Sequence, residues 1–377
     1  MIGAGPAGAL AARQLALRRF DVLLVEKCEF PRHKVCGCCI NAAALAALRR
    51  AGLEIQRPRM GGGAWRTMQL AAGGARATID LPPGVVLSRR QFDSMLVDAA
   101  VDAGVHFLPR THATLTPTRE GPRLLSLHGR TTTHTACTRL VLAADGLGGR
   151  SLSGAEGNVG HVRVAAESRI GAATIIEDAD GFYRAGTIYM AGGVGGYVGL
   201  VRLEDNRLNV AAALDADHIA GAGGLAAAAA RIIDQCRWPA VDGGAAATWK
   251  GTARLSRRRV RPAGRRLFVL GDAAGYVEPF TGEGIASSLW AALAVTGLAS
   301  TAVTGWNAQL AVMWTRRHRR MFALRHAICT AVASLLRRPQ GMAAVAGLLT
   351  RAPGLAAPIV RAMHAPSRAM EHHSLGK

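Results

Sequence analysis

Eight residues at the start of the chain, Met1-Ile2-Gly3-Ala4-Gly5-Pro6-Ala7-Gly8, restrict what the rest can fold into. Gly3, Gly5 and Gly8 fit the pattern G-x-G-x-x-G. In a strand–turn–helix unit the first glycine permits a tight turn, the second lets backbone approach a pyrophosphate, and the third lets helix pack on strand. A Gly/Ala-rich chain produces such a pattern by chance, so the flanks decide. Residues 9–20 read as a helix, and Asp21-Val22-Leu23-Leu24-Val25 as a buried parallel strand ending on Glu26, where a ribose hydroxyl needs an acceptor. The helix would aim its free N–H groups and positive dipole end at phosphates. Together these predict a βαβ start to a Rossmann-like α/β domain that binds a dinucleotide. Only Met1 and Ile2 precede Gly3, where a full first strand takes about five residues. The expectation is a stunted first strand or a true start further upstream.

A chain of 377 residues has room for one large α/β domain and a second region. Its 50% hydrophobic and 19% charged residues exclude a disordered chain. The formal net charge is +21, and only Lys27, Lys34, Lys250 and Lys377 among 46 basic residues are lysines. No Asp or Glu occurs between Glu283 and Glu371, whereas Arg316, Arg317, Arg319, Arg320, Arg325, Arg337 and Arg338 do. Such a one-sided field favours an anionic partner: a phosphopantetheine or CoA-type carrier, or acidic lipid. Nucleic acid is not expected, because no reading module is visible and aromatics are 5% of the chain. The seven cysteines are odd in number and unevenly spaced, and no signal peptide precedes the glycine turn. A reduced, cytoplasmic protein without disulfides is expected. Cys36-Gly37-Cys38-Cys39 lacks a second ligand pair at zinc spacing, so no metal site is predicted. Residues 285–304 are apolar enough to span a membrane but read as a buried helix, because they follow a cofactor-type motif.

Along the chain, the loop Phe30-Pro31-Arg32-His33-Lys34-Val35-Cys36 precedes a helix at 41–51. Arg32 and Lys34 are candidate phosphate or ribose contacts, or else a solvated basic loop. Short strands with Gly and Pro turns fill 61–87, and Ser88 is placed to cap a helix running to about 103. A strand is expected over 105–115, a polar hairpin over 116–136 and a buried strand over 140–144, ending on Asp145-Gly146. From 151 to 262 the pattern changes. Strand runs at 182–190, 196–203 and 207–214, with a helix at 221–236, predict an antiparallel sheet in a second, substrate-facing domain. Leu267-Phe268-Val269-Leu270-Gly271-Asp272 returns to a parallel strand, and the chain beyond 285 is helical, punctuated by Pro339, Pro353, Pro358 and Pro366. The expected division is a discontinuous cofactor domain (1–150 with 263–300, lending substrate-facing strands from 61–87), a substrate domain (151–262) and a basic helical region (301–377).

Three segments stand in order: Gly3–Gly8 with Glu26, Ala143-Ala144-Asp145-Gly146, and Leu270-Gly271-Asp272-Ala273-Ala274-Gly275-Tyr276-Val277-Glu278-Pro279-Phe280-Thr281-Gly282-Glu283-Gly284-Ile285. Over residues 1–300 the chain resembles the FAD-dependent oxidoreductases that include the group A monooxygenases and the geranylgeranyl reductases. The third segment lies closest to the reductases. The resemblance implies FAD, with Gly3, Gly5, Pro6, Ala7 and Gly8 at its pyrophosphate and Glu26 and Lys27 at its adenosine ribose. It also places Asp145 and Gly146, a second fingerprint, near the cofactor, as it does Arg32 and Arg89. Gly271 and Asp272 would face the ribityl chain. Gly282, Gly284 and Ile285 would stand at the flavin's pyrimidine side, where a helix N-terminus suits the charge of reduced flavin. Pro31-Arg32-His33-Lys34-Val35-Cys36-Gly37 resembles the reductases' P-R-x-K-x-C-G loop, which makes Cys36 the catalytic candidate; a buried, inert thiol is the competing reading.

Two departures matter. Cys38 and Cys39 stand where glycines are usual. The reductases' Y-x-W-x-F-P strand is replaced by Gly196-Tyr197-Val198-Gly199-Leu200-Val201-Arg202, and Tyr197 is either a substrate contact or a packing tyrosine. The halogenases' W-x-W-x-I-P motif is absent. The reading is an FAD-dependent oxidoreductase of a hydrophobic small molecule, polyketide-like or carrier-bound, with hydroxylation ahead of double-bond reduction because that strand is lost. With a single dinucleotide fingerprint, NAD(P)H is expected as a transiently bound electron donor, the alternative being electrons from a partner reductase. A reading of another class is a membrane-surface protein keeping a degenerate flavin fold. The C-terminal helices over 316–363 either pack on the cofactor domain or dock on anionic lipid at a membrane periphery.

Overall fold

A short parallel sheet forms around Ile2. In the computed structural model, which describes residues 1–55, 63–153, 155, 159–177, 181–278 and 282–364, Ile2 bridges Val25 on one side and Ala143 on the other. Leu23–Val25 continues outward to His106–Leu108, and Val141–Ala143 to Leu267–Val269, all parallel; Ala263–Gly264 closes that edge antiparallel. Two residues thus stand in for a central strand, because their neighbours supply the rest of the ladder. Pro279, Phe280, Thr281, Pro366 and Glu371 lie outside the described residues.

Three helices cover one face. Pro6–Ala16 begins on a proline, whose missing N–H costs nothing at a first helical position, and ends before Arg19, whose φ of 64° turns the chain. It is three turns of small side chains buried along Pro6–Ala12, so Arg89–Asp102 and Glu283–Thr304 pack close beside it. Gly8 is obligatory there: a Cβ would stand 1.8 Å from the Gly3 carbonyl oxygen. Ser88 caps Arg89–Asp102 as its sequence predicts, accepting from the Gln91 amide at 3.2 Å. Glu283–Thr304 is long and apolar enough to cross a membrane, yet 72% of its apolar window is buried against these helices. It is a core helix.

The predicted strand over 105–115 is two. Arg110, at φ 54°, breaks it after Pro109, so His106–Leu108 stays in the parallel sheet and His112–Thr116 opens a second one. The hairpin expected at 116–136 supplies its other strands, Arg123–His128 and Thr133–Thr138. Ala113, Leu115, Leu125 and Leu127 pack this meander onto the face of the parallel sheet opposite the helices.

The large sheet differs from expectation in two respects. Its eight strands run Lys250–Arg254, Ile170–Ile176, Leu208–Leu214, Gly196–Arg202, Thr187–Gly193, Ala64–Ala72, Ala75–Val86, Cys39–Ile40. Three of them come from before residue 90, and Thr187–Gly193 pairs parallel with Ala64–Ala72, so the sheet is mixed rather than antiparallel. The helix predicted over 221–236 is two, Ala216–Ala222 and Leu225–Gln235, parted where Gly223 and Gly224 adopt φ 86° and 136°. Leu225–Gln235 covers one face of the sheet through Ala228, Ala229, Ile232 and Ile233. The C-terminal helices Ala308–Leu336, Pro339–Arg351 and Ala357–His364 follow. Met342, Ala346 and Leu349 of the second lie over Leu70, Ile79 and Met190 on the other face.

Candidate active site

The glycine turn faces two guanidiniums. Gly3 takes φ 91°, where a Cβ would meet the Ala144 carbonyl at 2.4 Å. Gly5 differs: its backbone is extended, and a Cβ there would lie 3.6 Å from Arg32 Nη2 and 3.7 Å from Arg89 Nη2. The space above Gly5 is a cradle of helix N-terminus and two arginines, the arrangement that suits a pyrophosphate. Both arginines are held by one residue. Arg89 Nε and Nη2 donate to the two Asp93 carboxylate oxygens at 2.8 Å each, and Arg32 Nη2 lies 3.1 Å from Asp93 and 3.6 Å from Glu26. Asp93 is fully buried, as a carboxylate can be only when paired this closely.

Glu26 ends its strand as predicted. Its Oε2 accepts from the Ala4 amide at 3.0 Å and its Oε1 from the Cys28 amide at 3.1 Å, which fixes the carboxylate beside the turn. On the opposite wall, Asp145 Oδ2 accepts from the Ser151 amide and hydroxyl at 3.1 and 2.7 Å, while its Oδ1 is buried without a donor among the described residues. A buried orphan acceptor of this kind fits a ligand hydroxyl or amide. Lys34 approaches Gly146, whose Cβ position is 3.0 Å from Nζ. Burial and the neighbouring Arg89 push the Lys34 ammonium down, with Asp272 opposing; burial raises the Asp272 carboxyl, with Lys34 opposing.

Cys36 sits between these groups and the large sheet. Its Sγ accepts from the Cys38 amide at 3.4 Å, and its carbonyl accepts from Asn209 Nδ2 at 3.1 Å, tying the loop to the large sheet. The Cys38 thiol and the Arg89 guanidinium hold the Cys36 thiol well below its ordinary value against the effect of burial. Cys38 and Cys39 are pushed up, Cys38 by its bond to Cys36 and burial, Cys39 by burial. Of the three, Cys36 alone is shifted toward the thiolate, the form in which a thiol reacts. All seven cysteines are free.

At the third motif Gly282, at φ 69°, opens Glu283–Thr304. Glu283 turns away from the helix end: Oε1 accepts from Asn41 Nδ2 at 3.0 Å and Oε2 from the buried Arg325. Burial raises its carboxyl to about 7. Gly284 is pressed to the Tyr276 ring, 3.1 Å from a Cβ position.

A cavity of about 770 Å³ joins all of this. Every predicted site residue lines it except Gly8, which lies under the turn as a packing glycine. From the glycine turn the cavity passes Cys36 and enters a chamber between the large sheet and the C-terminal helices, walled by Leu70, Ile79, Met190, Val332, Leu349 and Val360. Tyr197, Gly199 and Val201 line it too, and Tyr197 is 5% exposed beneath the Arg169 guanidinium. Sequence reasoning missed Asp93 as a site residue, although its spacing of four from Arg89 on a helix is a readable pairing signal. It also missed the chamber, whose walls come from segments more than 250 residues apart.

A parallel sheet with a G-x-G-x-x-G turn, capped by a mixed sheet across one continuous cavity, defines a dinucleotide-binding α/β protein. The family model described as FAD binding domain matches residues 1–323, and the chain belongs to that family. Among characterised proteins it is similar to menaquinone reductase of Mycobacterium tuberculosis, 28% identical over 38% of this chain and 36% of the relative. It is also similar to digeranylgeranylglycerophospholipid reductase 2 of Methanopyrus kandleri, 35% identical over 40% of this chain and 37% of the relative. The matched segment thus spans little more than a third of those relatives' length. Three solved structures share the fold. A geranylgeranyl bacteriochlorophyll reductase-like protein of Thermoplasma acidophilum has a TM-score of 0.77 at 17% identity over 97% of this chain and 96% of that one. The flavin-dependent brominase Bmp2 has a TM-score of 0.77 at 16% identity over 96% and 92%. The p-nitrophenol 4-monooxygenase of Pseudomonas putida has a TM-score of 0.76 at 14% identity over 95% of each chain. The cradle over Gly5, the fixed Glu26 carboxylate and the orphan Asp145 oxygen fit FAD.

Proposed function

We propose that the protein is an FAD-dependent oxidoreductase that reduces carbon–carbon double bonds in a long, flexible apolar substrate of the isoprenoid kind. The observation that carries this reading is the single cavity that leads from the glycine turn, past Cys36, into an aliphatic chamber. Its Leu, Ile, Met and Val walls, which outnumber the aromatic lining residues Trp65, Tyr197 and Tyr276, favour a hydrocarbon chain at about 25 cal/mol per Å² of apolar surface removed from water. The lost Y-x-W-x-F-P strand, which on sequence alone weighed toward hydroxylation, reads differently here. Gly199 and Val201, at the motif's Trp and Phe positions, line the chamber with less bulk than those side chains, while Tyr197 keeps the tyrosine. The named activities of the mycobacterial and archaeal relatives, both reductases, support the same direction.

When bound, FAD supplies the hydride. Arg32 and Arg89, fixed by Asp93, would hold its pyrophosphate over Gly5, Glu26 its ribose, and Asp145 and Asp272 groups further along. Lys34 brings a positive charge beside Gly146, at the join of the two halves of the cavity. Reduction of a double bond also needs a proton at the second carbon; we assign it to Cys36, which lines the cavity and whose thiol, lowered to about 6 by Cys38 and Arg89, takes its proton back from solvent before each turnover. We take NAD(P)H as the electron donor; with one dinucleotide fingerprint in the sequence it would bind transiently.

The test is anaerobic. Protein reconstituted with FAD and reduced with NADPH or dithionite is mixed with menaquinone or a geranylgeranyl lipid in detergent. Reoxidation of the flavin without oxygen, with two hydrogens gained by the substrate, supports the reading; Cys36→Ser should slow that step while leaving the flavin spectrum in place. Reoxidation only in air, with oxygen inserted into a substrate, would overturn it in favour of hydroxylation.

A further inference from the structure

The far end of the chamber opens among side chains that are apolar and exposed at once. Leu335, Leu348, Leu355 and Ile359 all line the cavity, yet they are 43%, 53%, 54% and 53% exposed. They come from four consecutive pieces of the chain, the helices Ala308–Leu336 and Pro339–Arg351, the turn Pro353–Ala356 and the helix Ala357–His364, and form the rim of its mouth. Inward of each lies a lining residue of the chamber: Val332, Leu349, Ala356 and Val360. Soluble surfaces seldom gather four large aliphatic side chains around an opening without a partner.

The charge that the rim's own four pieces carry has one sign. Arg338, Arg351 and Arg361 are exposed, Arg351 one turn from Leu348 on the same side of its helix. No acidic residue occurs in the sequence between Glu283 and Glu371. Arg337 is engaged elsewhere, 3.0 Å from Glu167.

We propose that this rim docks on an anionic lipid bilayer, with Leu335, Leu348, Leu355 and Ile359 entering the interface and the flanking arginines on the headgroups. An acidic carrier protein would satisfy the arginines but would leave the aliphatic rim against water. A bilayer satisfies both, and lets an apolar chain pass from lipid into the chamber without crossing water. The proposal deepens the reading above, in that it names where a lipid substrate enters.

The full chain with FAD is floated with vesicles of phosphatidylcholine alone or mixed with phosphatidylglycerol, at low and high salt. Expected is capture by the mixed vesicles, weakened by salt. Leu348→Glu and Ile359→Glu should each lower capture by about tenfold or more, and Arg338→Glu with Arg351→Glu by a similar factor. Flavin content and urea unfolding should not change, since these side chains are exposed. No capture by either vesicle, or capture that the rim variants leave intact, would overturn the docking surface. So would rim variants that only convert a dimer to a monomer in sedimentation, or loss of capture on removing residues 365–377 alone. Reduction of a detergent-solubilised substrate separates the two readings. If it persists where vesicle capture fails, only the docking is wrong; if vesicles capture the protein and no double bond is reduced, only the proposed reaction is wrong.

Discussion

Removing the Asp93 carboxylate should destabilise the protein and make that loss depend on FAD. Asp93 is fully buried and holds Arg89 at 2.8 Å twice and Arg32 at 3.1 Å, with the two arginine side chains 8% and 11% exposed. Asp93→Ala leaves two buried guanidiniums with weaker counter-charges, Glu26 at 3.6 Å from Arg32 and the Cys36 thiol beside Arg89. Breaking a buried pair from one side costs about 3–5 kcal/mol. Asp93→Asn keeps the shape and one acceptor and should lose less. The assay is urea unfolding of the apoprotein and of the FAD-saturated protein. If the cradle over Gly5 holds a pyrophosphate, its charge pairs with the freed arginines. The Asp93→Ala deficit should then shrink by about 1.5 kcal/mol or more with FAD, the lower value for a hydrogen bond to a charged group. A deficit equal with and without FAD would refute the assignment of Arg32 and Arg89 to the phosphates. A deficit under about 1 kcal/mol in the apoprotein would refute the reading of the triad as a buried ion cluster.

Gly5→Ala and Gly8→Ala should part company, although both lie in one motif. The methyl that Gly5→Ala adds meets nothing closer than 3.6 Å on an extended backbone, so apoprotein stability should hold within about 0.5 kcal/mol while FAD affinity, read by fluorescence titration, falls. Gly8→Ala puts its methyl 1.8 Å from the Gly3 carbonyl oxygen and should not accumulate as folded protein. Glu283 provides a pH signature. Its folded value near 7 lies above the ordinary 4.5, so the folded state binds the extra proton and stability falls as pH rises from 4.5 to 7. The slope totals on the order of 3 kcal/mol over that window, and Glu283→Gln should flatten it in unfolding curves taken at successive pH values; an unchanged slope would refute the attribution.

The parts legible in the sequence are those written in local order. Gly3, Gly5 and Gly8 announce their turn because only glycine tolerates a φ of 91° at position 3 or a carbonyl 1.8 Å from position 8. Glu26 at a strand end and Ser88 at a helix start are set by their neighbours in the chain, and both stand where the pattern puts them. What depended on distant partners was not written locally. The run 105–115 carries one alternation, and only the two sheets it serves decide that Arg110 must break it. Ala64–Ala72 reads as a strand, but its parallel pairing with Thr187–Gly193 across about 120 residues leaves no mark in either segment. The same holds for the site. The cofactor turn is a property of eight consecutive residues. The acidity of Cys36 arises where Arg89, brought in from another element, meets the Cys36–Cys38 loop, and the chamber exists only where Met190 and Leu349 face each other across a gap. Local backbone chemistry determined that the chain binds a dinucleotide. Close packing between segments far apart in sequence decided what lies beside it.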